Sequence, residues 1–295
     1  MTFEVYSHDR WTIPLPEGHK FPISKYRLLR ERVAGLVTVR ESDAVPWEQL
    51  ALVHEDALLE RIRTGQMSTR EQRGLGLPWS DVLVERGRRS VGGTLAAARW
   101  ALSHGVGMNL GGGTHHAGRD FARGYCLFND VAVTLAQLRV EGLATRAVVV
   151  DCDVHQGDGT AQILGPDPDA FTLSLHGARN YPFQRIPSDL DLELASGMED
   201  DEYLFELNGA LDVALAGGPY DIAFYLAGAD PWEGDRLGRL SLTKPGLRAR
   251  DELVLARLRG IPTVVVLAGG YAPDPSDTVD INAATLDCVL ALAAP

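Results

Sequence analysis

The strongest restriction on the architecture lies in four short apolar runs. Residues 146–150 lead into Asp151, and residues 171–175 lead into His176. Residues 222–227 lead into Gly228 and Asp230, and residues 262–267 into Gly269 and Gly270. Each run is rich in β-branched or aromatic side chains and is apolar on both alternating sets of positions. Strands buried on both faces of a parallel sheet have this pattern. Helical patterns alternate with the runs. Residues 24–33 carry Tyr26, Leu29 and Val33 on one face. Residues 83–102 form a longer helical stretch despite Gly87, Gly92 and Gly93. Residues 129–141 have Asn129 as a cap, a stripe of Val131, Leu135 and Leu138, and Gly142 as terminator. Strands alternating with helices predict an α/β fold with a central parallel sheet flanked by helices. Pro and Gly are evenly spaced and no repeat or linker interrupts the 295 residues, so residues 1–295 read as a single domain.

In open parallel sheets, ligands bind outside the carboxyl ends of the strands. The polar residues after the four runs therefore point to one shared active site. The densest segment is Asp151-Cys152-Asp153-Val154-His155-Gln156-Gly157-Asp158-Gly159. If the strand continues to His155, then Asp151, Asp153 and His155 share one face. Asp153 and His155 could then reach one metal ion. Carboxylate and imidazole suit Zn²⁺ or Fe²⁺, with a third ligand still required. Asp230 is the natural candidate, although an Asp before Pro231 is by itself a turn former. A solvated turn bent by Gly157 and Gly159 is the plainer alternative for the whole segment.

His115 and His116 lie in a loop with glycine at 111, 112, 113 and 118. A general base or a proton-shuttling pair fits them, because imidazole titrates near neutrality. Asp151 and Asp158 are free to orient them, since neither is needed as a ligand. Gly269-Gly270-Tyr271 follows the last run. The glycines permit close backbone approach, and the phenol can donate to a developing oxyanion. A plain core role for Tyr271 is the alternative.

Charge and cysteine usage remove other classes. The chain has 40 acidic and 28 basic residues, a net charge of −12. Such a field repels phosphate backbones, which argues against direct nucleic-acid binding and mildly favours cationic substrates. Cys126, Cys152 and Cys288, three in number and with no short spacing between them, make neither a disulfide framework nor a cysteine zinc site, so a reducing compartment is expected. The first residues lack a basic stretch followed by an apolar core, so no signal peptide is expected. No apolar run approaches the roughly 18 residues of a membrane span. The expected setting is cytoplasmic, without membrane attachment.

Thr114-His115-His116-Ala117, Gly124-Tyr125-Cys126-Leu127-Phe128-Asn129-Asp130, residues 151–159, Gly228-Ala229-Asp230 and Gly269-Gly270-Tyr271 occur in this order. In these elements the chain resembles the zinc-dependent histone deacetylase superfamily, with its acetoin-utilisation and acetylpolyamine amidohydrolase relatives. The resemblance covers roughly residues 1 to 290. Residues 14–22 with Lys25-Tyr26 look most like the bacterial and class IV-like branch. The resemblance implies a single-domain arginase–deacetylase fold. It implies Zn²⁺ on Asp153, His155 and Asp230, with His115 backed by Asp151 and His116 backed by Asp158. It implies Tyr271 as the transition-state tyrosine, and an acyl-lysine channel lined by Gly124, Tyr125, Tyr181, Gly269 and Gly270. A structural K⁺ at Asp151, Asp153, His155, Ser174 and Leu175 is implied as well.

The implied reaction is metal-assisted hydrolysis of an acyl-lysine protein or a small acylated amine. His116 takes the water proton, and Tyr271 stabilises the oxyanion. Gln156 stands where a second His is usual, Tyr125 where Phe is usual, and Trp232, Glu233 and Arg236 alter the segment after Asp230. None of these removes a ligand, but they lie where a channel rim is expected. An arginase-type ureohydrolase with two metals would need further ligands near Asp151 and Asp230. A non-catalytic binding module of the same fold would be expected to have lost a ligand or the tyrosine.

Overall fold

A computed structural model of the protein describes residues 2–293. Eight strands form one sheet: β1 (Glu4–Ser7), β2 (Thr38–Glu41), β3 (Val106–Asn109), β4 (Ala147–Asp151), β5 (Ala170–Gly177), β6 (Leu190–Leu194), β7 (Ile222–Leu226) and β8 (Thr263–Val266). The helices are α1 (Ser24–Val33), α2 (Trp47–Leu50), α3 (Asp56–Thr64), α4 (Thr69–Leu75), α5 (Asp81–His104), α6 (Asp130–Val140), α7 (Asp158–Leu164), α8 (Asp200–Ala216), α9 (Lys244–Arg257) and α10 (Pro275–Ala293). The sheet order is β2-β1-β3-β8-β7-β4-β5-β6, and every pairing is parallel.

The apolar runs are β4, β5, β7 and β8, as their patterning predicts. Their side chains divide with period two between two cores. Val149, Phe224, Leu226, Val264 and Val266 pack on one face, with residues of α2 to α7. Val148, Val150, Tyr225 and Val265 pack on the other, with α1, α8, α9 and α10. Each fully buried side chain of this size contributes about 1.5–3 kcal/mol. Both faces demand apolar residues, so these strands show no alternation.

The chain path brings distant segments together. After β3 it jumps to β4, β5 and β6, then returns through β7 and β8 to fill the gap between β3 and β4. The carboxyl ends of β3, β8, β7 and β4 thus lie side by side, at the reversal of strand order where a crevice opens.

Helix α1 occupies the span that its periodicity predicts. Helix α6 has Asn129 as its cap, with Oδ1 accepting from Ala132 N at 2.9 Å. Helix α5 runs two residues further than expected at each end. Ser80 caps its start, and Gly105, at φ 87°, closes it. Strands β1, β2, β3 and β6 carry no clear signal. They are four or five residues long, and all but β3 carry charged residues. In β3 even Gly107 is required, because a Cβ there would sit 2.0 Å from Ala97 O on α5. Among the described residues no helix is long and apolar enough to cross a membrane.

Candidate active site

Strand β4 ends at Asp151 and does not continue to His155, contrary to the period-two expectation. Cys152 N still donates to Leu226 O at 3.1 Å, but the chain then turns over its own carboxylates. Asp153 N donates to Asp151 Oδ1 at 3.1 Å, and His155 N to Asp153 Oδ1 at 2.9 Å. Short carboxylates that capture nearby backbone N–H groups favour such turns over extended strand. Asp153 and His155 nevertheless reach the same spot, through turn geometry.

Asp230 arrives there from the end of β7. Single ligand atoms of Asp153, His155 and Asp230 all lie within 4.8 Å of one another, and all three residues are buried. His155 Nδ1 is 2.9 Å from Asp153 Oδ1 and 3.2 Å from Asp230 Oδ2. Asp230 Oδ1 accepts from Val154 N at 2.9 Å, whereas Oδ2 is buried without a hydrogen-bond partner among the described residues. Burial and the neighbouring Asp153 charge push the Asp230 carboxyl up to about 7. Burial works against ionised Asp153 too, but His115 and His155 hold its carboxyl well below the usual range. An orphaned oxygen beside a second carboxylate and an imidazole fits a divalent cation, and the donor set suits Zn²⁺ or Fe²⁺.

Gly269 completes this wall. Its N donates to Asp153 Oδ2 at 2.7 Å. A Cβ at 269 would lie 2.0 Å from Asp230 Oδ2 and 2.5 Å from Asp153 Oδ2, so only glycine allows this approach. Gly270 was expected along the substrate channel but faces elsewhere. A Cβ there would meet Thr278 and Ala229, and its carbonyl accepts from Lys25 Nζ at 3.2 Å.

The two histidines leave the end of β3 on a loop gripped from the start of α6. Asp130 accepts from Gly113 N, Thr114 N and Thr114 Oγ1 at 2.7–3.0 Å, and Asn129 Nδ2 donates to Ala117 O at 3.0 Å. His115 Nδ1 is 2.7 Å from Asp151 Oδ2. His116 Nδ1 bonds Asp158, whose other oxygen meets Arg123. The two rings lie 4.2 Å apart, centroid to centroid. Burial lowers the basicity of both. At His115 the charges of Asp151 and Asp153 overcome it and hold the ring up at about 9. At His116 the neighbouring His115 charge adds to burial, and the ring falls to about 4. Adjacent imidazoles in different protonation states suit one proton donor and one proton acceptor.

Tyr271 is 8% exposed, and burial followed by the Asp153 and Asp230 charges keeps its hydroxyl protonated well above the usual range. A cavity of about 350 Å³ joins Tyr271, His116, His155, Gly124, Tyr125 and Tyr181 to solvent. An inner cavity of about 60 Å³ continues past His115, Asp153 and Gly269. Gly124 has φ 58°, and a Cβ there would lie 2.5 Å from the His116 ring. Ser174 and Leu175 lie on β5, where Ser174 pairs with Asp151 across the strands and its Oγ is 3.0 Å from His176 Nδ1.

The family model for the histone deacetylase domain matches residues 19–285. The chain belongs to the histone deacetylase family. It is a histone deacetylase-like hydrolase with an Asp-His-Asp group that could hold a metal. An uncharacterized protein of Picosynechococcus sp. is 42% identical over 292 residues, covering 95% of each chain. Histone deacetylase 2 of Arabidopsis thaliana is 36% identical over 189 residues, 62% of this chain and 49% of that protein, so the match spans about half of that relative. Among solved structures, an HDAC homolog complexed with SAHA superposes with a TM-score of 0.83 at 22% identity, over 98% of this chain and 83% of that one. The arginase–deacetylase fold expected from the motifs is thereby established.

Sequence reasoning missed several residues around this site. Arg250 on α9 is wholly buried, and its Nη1 donates to Gly228 O at 2.6 Å and Cys152 O at 3.4 Å, next to the turns that carry Asp153 and Asp230. Lys25 on α1 is buried, with Nζ on the carbonyls of Gly270 and Ala268 and 5.5 Å from the Tyr271 ring centroid. His54 Nδ1 lies 2.8 Å from Gly118 O, and its Nε2 accepts from Asn129 N at 3.0 Å. These contacts join residues far apart in the chain; Lys25 stands in a segment that carries the resemblance, but no local motif marks its contacts or those of Arg250 and His54. The expected rim segment also behaves differently. Arg236 Nε bonds Tyr271 O at 2.9 Å, while Arg73, Arg179, Arg239 and Phe183 line the mouth.

Proposed function

We propose that this chain is a metal-dependent amidohydrolase that removes acetyl or related acyl groups from lysine side chains or kindred amines. The observation that carries the reading is that three side chains able to hold a metal, two His–Asp pairs and Tyr271 gather beside two adjoining cavities. Asp153, His155 and Asp230 would hold Zn²⁺ or Fe²⁺, for the Lewis acidity that activates a carbonyl and a water.

The chain's own groups divide the remaining work. His116 is neutral, with Nδ1 tied to Asp158, so its other nitrogen is available to accept a proton from water. His115 carries a proton, held by Asp151, for the departing amine. Tyr271 keeps its hydroxyl proton and can donate to the negative charge that grows on the amide oxygen. Tyr125 and Tyr181 flank the path to that oxygen, and burial raises both phenols, so they remain neutral walls for an alkyl chain. Ser174 and Leu175, beside Asp151, Asp153 and His155, are assigned to a structural K⁺; the Asp151–Ser174 register supports this.

The test is acetate release from an Nε-acetyl-lysine peptide, with and without a chelator. Chelation should abolish turnover and metal return should restore it. Tyr271→Phe keeps the ring, so it should preserve the melting temperature and metal content. An interaction made only in the transition state affects kcat, so the variant should lose about 10²–10³ in kcat with KM little changed. An undiminished kcat would make Tyr271 a core residue and remove its part of the mechanism.

A further inference from the structure

The mouth of the cavity carries a charge that the chain as a whole does not. Arg73, Arg179 and Arg239 line it, all exposed, and no Asp or Glu is among its lining residues. They come from three separate places: the last turn of α4, the segment after β5, and the loop between β7 and α9. Among the described residues, none of the three forms an ion pair or a side-chain hydrogen bond. Three cations without a carboxylate partner thus gather at one opening, although acidic residues outnumber basic ones by 40 to 28 in the chain. Elsewhere on the surface Arg27, Arg63, Arg248 and Arg257 each meet a carboxylate at 2.5–2.9 Å.

The backbones that present these arginines are pinned. Gly124 N and Tyr125 N donate to Gly74 O and Leu75 O at 3.0 and 2.8 Å, fixing the end of α4 to the cavity wall. Asn180 Nδ2 donates to Leu237 O at 2.7 Å, and Gly197 N donates to Arg239 O at 2.8 Å. Three guanidinium groups on fixed supports therefore surround the entrance to the groups that would cleave the amide. Guanidinium binds carboxylate in a geometry that ammonium cannot match. The net charge of −12 does not cancel this local field, because screening limits distant charges to about 10 Å at ordinary salt.

We propose that the substrate is an acylated amine that carries one or more carboxylates within a side-chain length of the scissile amide. This rests on the amidohydrolase reading of the same cavity, and it replaces the cationic preference suggested by net charge alone. Such chemistry is met by an acyl-lysine with neighbouring Asp or Glu, or by a free acyl-lysine with its α-carboxylate. Arg73, Arg179 and Arg239 are specificity-determining residues at the mouth, and Phe183, 88% exposed, supplies an apolar contact beside them.

The experiment measures both binding and turnover. Three Nε-acetyl-lysine peptides of equal length, with acidic, neutral or basic neighbours, are compared, together with free Nε-acetyl-lysine and its α-amide. Binding is read on the metal-loaded Tyr271→Phe protein, and turnover on the wild type. Exposed pairs give roughly two- to fivefold each, so the acidic peptide should bind about tenfold better than the basic one at low salt. The margin should shrink severalfold at high salt. Arg179→Glu with Arg239→Glu should reverse the order, and the same reversal of charge at Arg248, outside the cavity, should not. A preference confined to the free amino acid would identify the small molecule as the source of the carboxylate. A basic peptide that binds as well as the acidic one, or an order untouched by the double variant, would overturn the proposal. Acidic preference in binding without turnover of any peptide would keep the mouth assignment and refute the deacylation reading. Turnover without that preference would do the reverse.

Discussion

Two buried charged clusters sit close together near the ends of β4 and β7, and they differ in what they leave unsatisfied. In the first, Asp251 Oδ1 accepts from Tyr225 Oη and from Arg250 Nε and Nη2, while Oδ2 accepts from Thr285 Oγ1. The remaining guanidinium nitrogen is used on the Gly228 and Cys152 carbonyls. One positive charge meets one negative charge, and every polar atom of the pair has a partner. In the second cluster, Asp151, Asp153 and Asp230 crowd around His115 and His155, and Asp230 Oδ2 has no hydrogen-bond partner among the described residues. The first cluster is a scaffold and the second is the candidate site. Burial alone does not separate them; the unmatched charge does.

Removing the unmatched charge is the largest change on offer. Asp230→Asn should leave too weak a ligand set for the cation, so metal content and turnover should fall together, turnover by more than about 10³. In the metal-free protein the same change should be stabilising, and only in one pH range. The Asp230 carboxyl is raised to about 7 in the fold, so ionising it costs folding stability. Below the usual carboxylate range both states are protonated and nothing is lost. The cost grows as pH rises towards about 7 and is complete above it. Melting curves of chelated wild type and variant should therefore agree near pH 4 and separate in the variant's favour at pH 8. A chelated variant that melts below wild type at pH 8 would contradict the account of an overcharged site.

The satisfied cluster should respond in the opposite sense. Arg250→Met leaves the Asp251 carboxylate buried without its cation, at a cost of roughly 3–5 kcal/mol in urea unfolding. Arg250→Met combined with Asp251→Leu removes both charges, and much of that loss should return. If the double variant is no better than the single one, Arg250 stabilises chiefly through the Gly228 and Cys152 carbonyls and not through its carboxylate.

The difference between the clusters also explains what the sequence made legible. Asp153, His155, Asp230, His115, His116 and Tyr271, which the fold brings near one another, could be singled out because each stands just after an apolar run or in a glycine-rich loop. Strands β4, β5, β7 and β8 were visible because burial on both faces leaves nothing polar in them. Strand β3 was not, since Gly107 answers to close packing against α5 and weakens the pattern. Strand and turn both remained open at Asp153, because alternation in sequence does not reveal carboxylates that fold the backbone over themselves. The parts played by Arg250, Lys25 and His54 stayed hidden for a different reason. Each binds backbone carbonyls or amides contributed by remote segments, and a carbonyl has no letter in the sequence.

Lys25 offers the smallest and sharpest test, because it stands between the two clusters in kind. Like Arg250 it is a buried cation on carbonyl oxygens, those of Gly270 and Ala268. Unlike Arg250 it meets no carboxylate within ion-pair distance among the described residues. Its contacts bracket Gly269 and precede Tyr271, so the ammonium fixes the backbone that aims the phenol. Methionine has similar length and suits irregular apolar space, so Lys25→Met removes the charge without opening a large cavity. It strands no buried anion, so the stability change should stay within about 1–3 kcal/mol. Loss of the two carbonyl contacts should loosen the placement of Tyr271 and lower kcat about tenfold, with KM and metal content little changed. The same substitution in the Tyr271→Phe background should then add almost nothing to the kcat loss, since residues that act as one unit are not additive. Full additivity of the two losses would show that Lys25 affects the reaction by a route independent of the tyrosine.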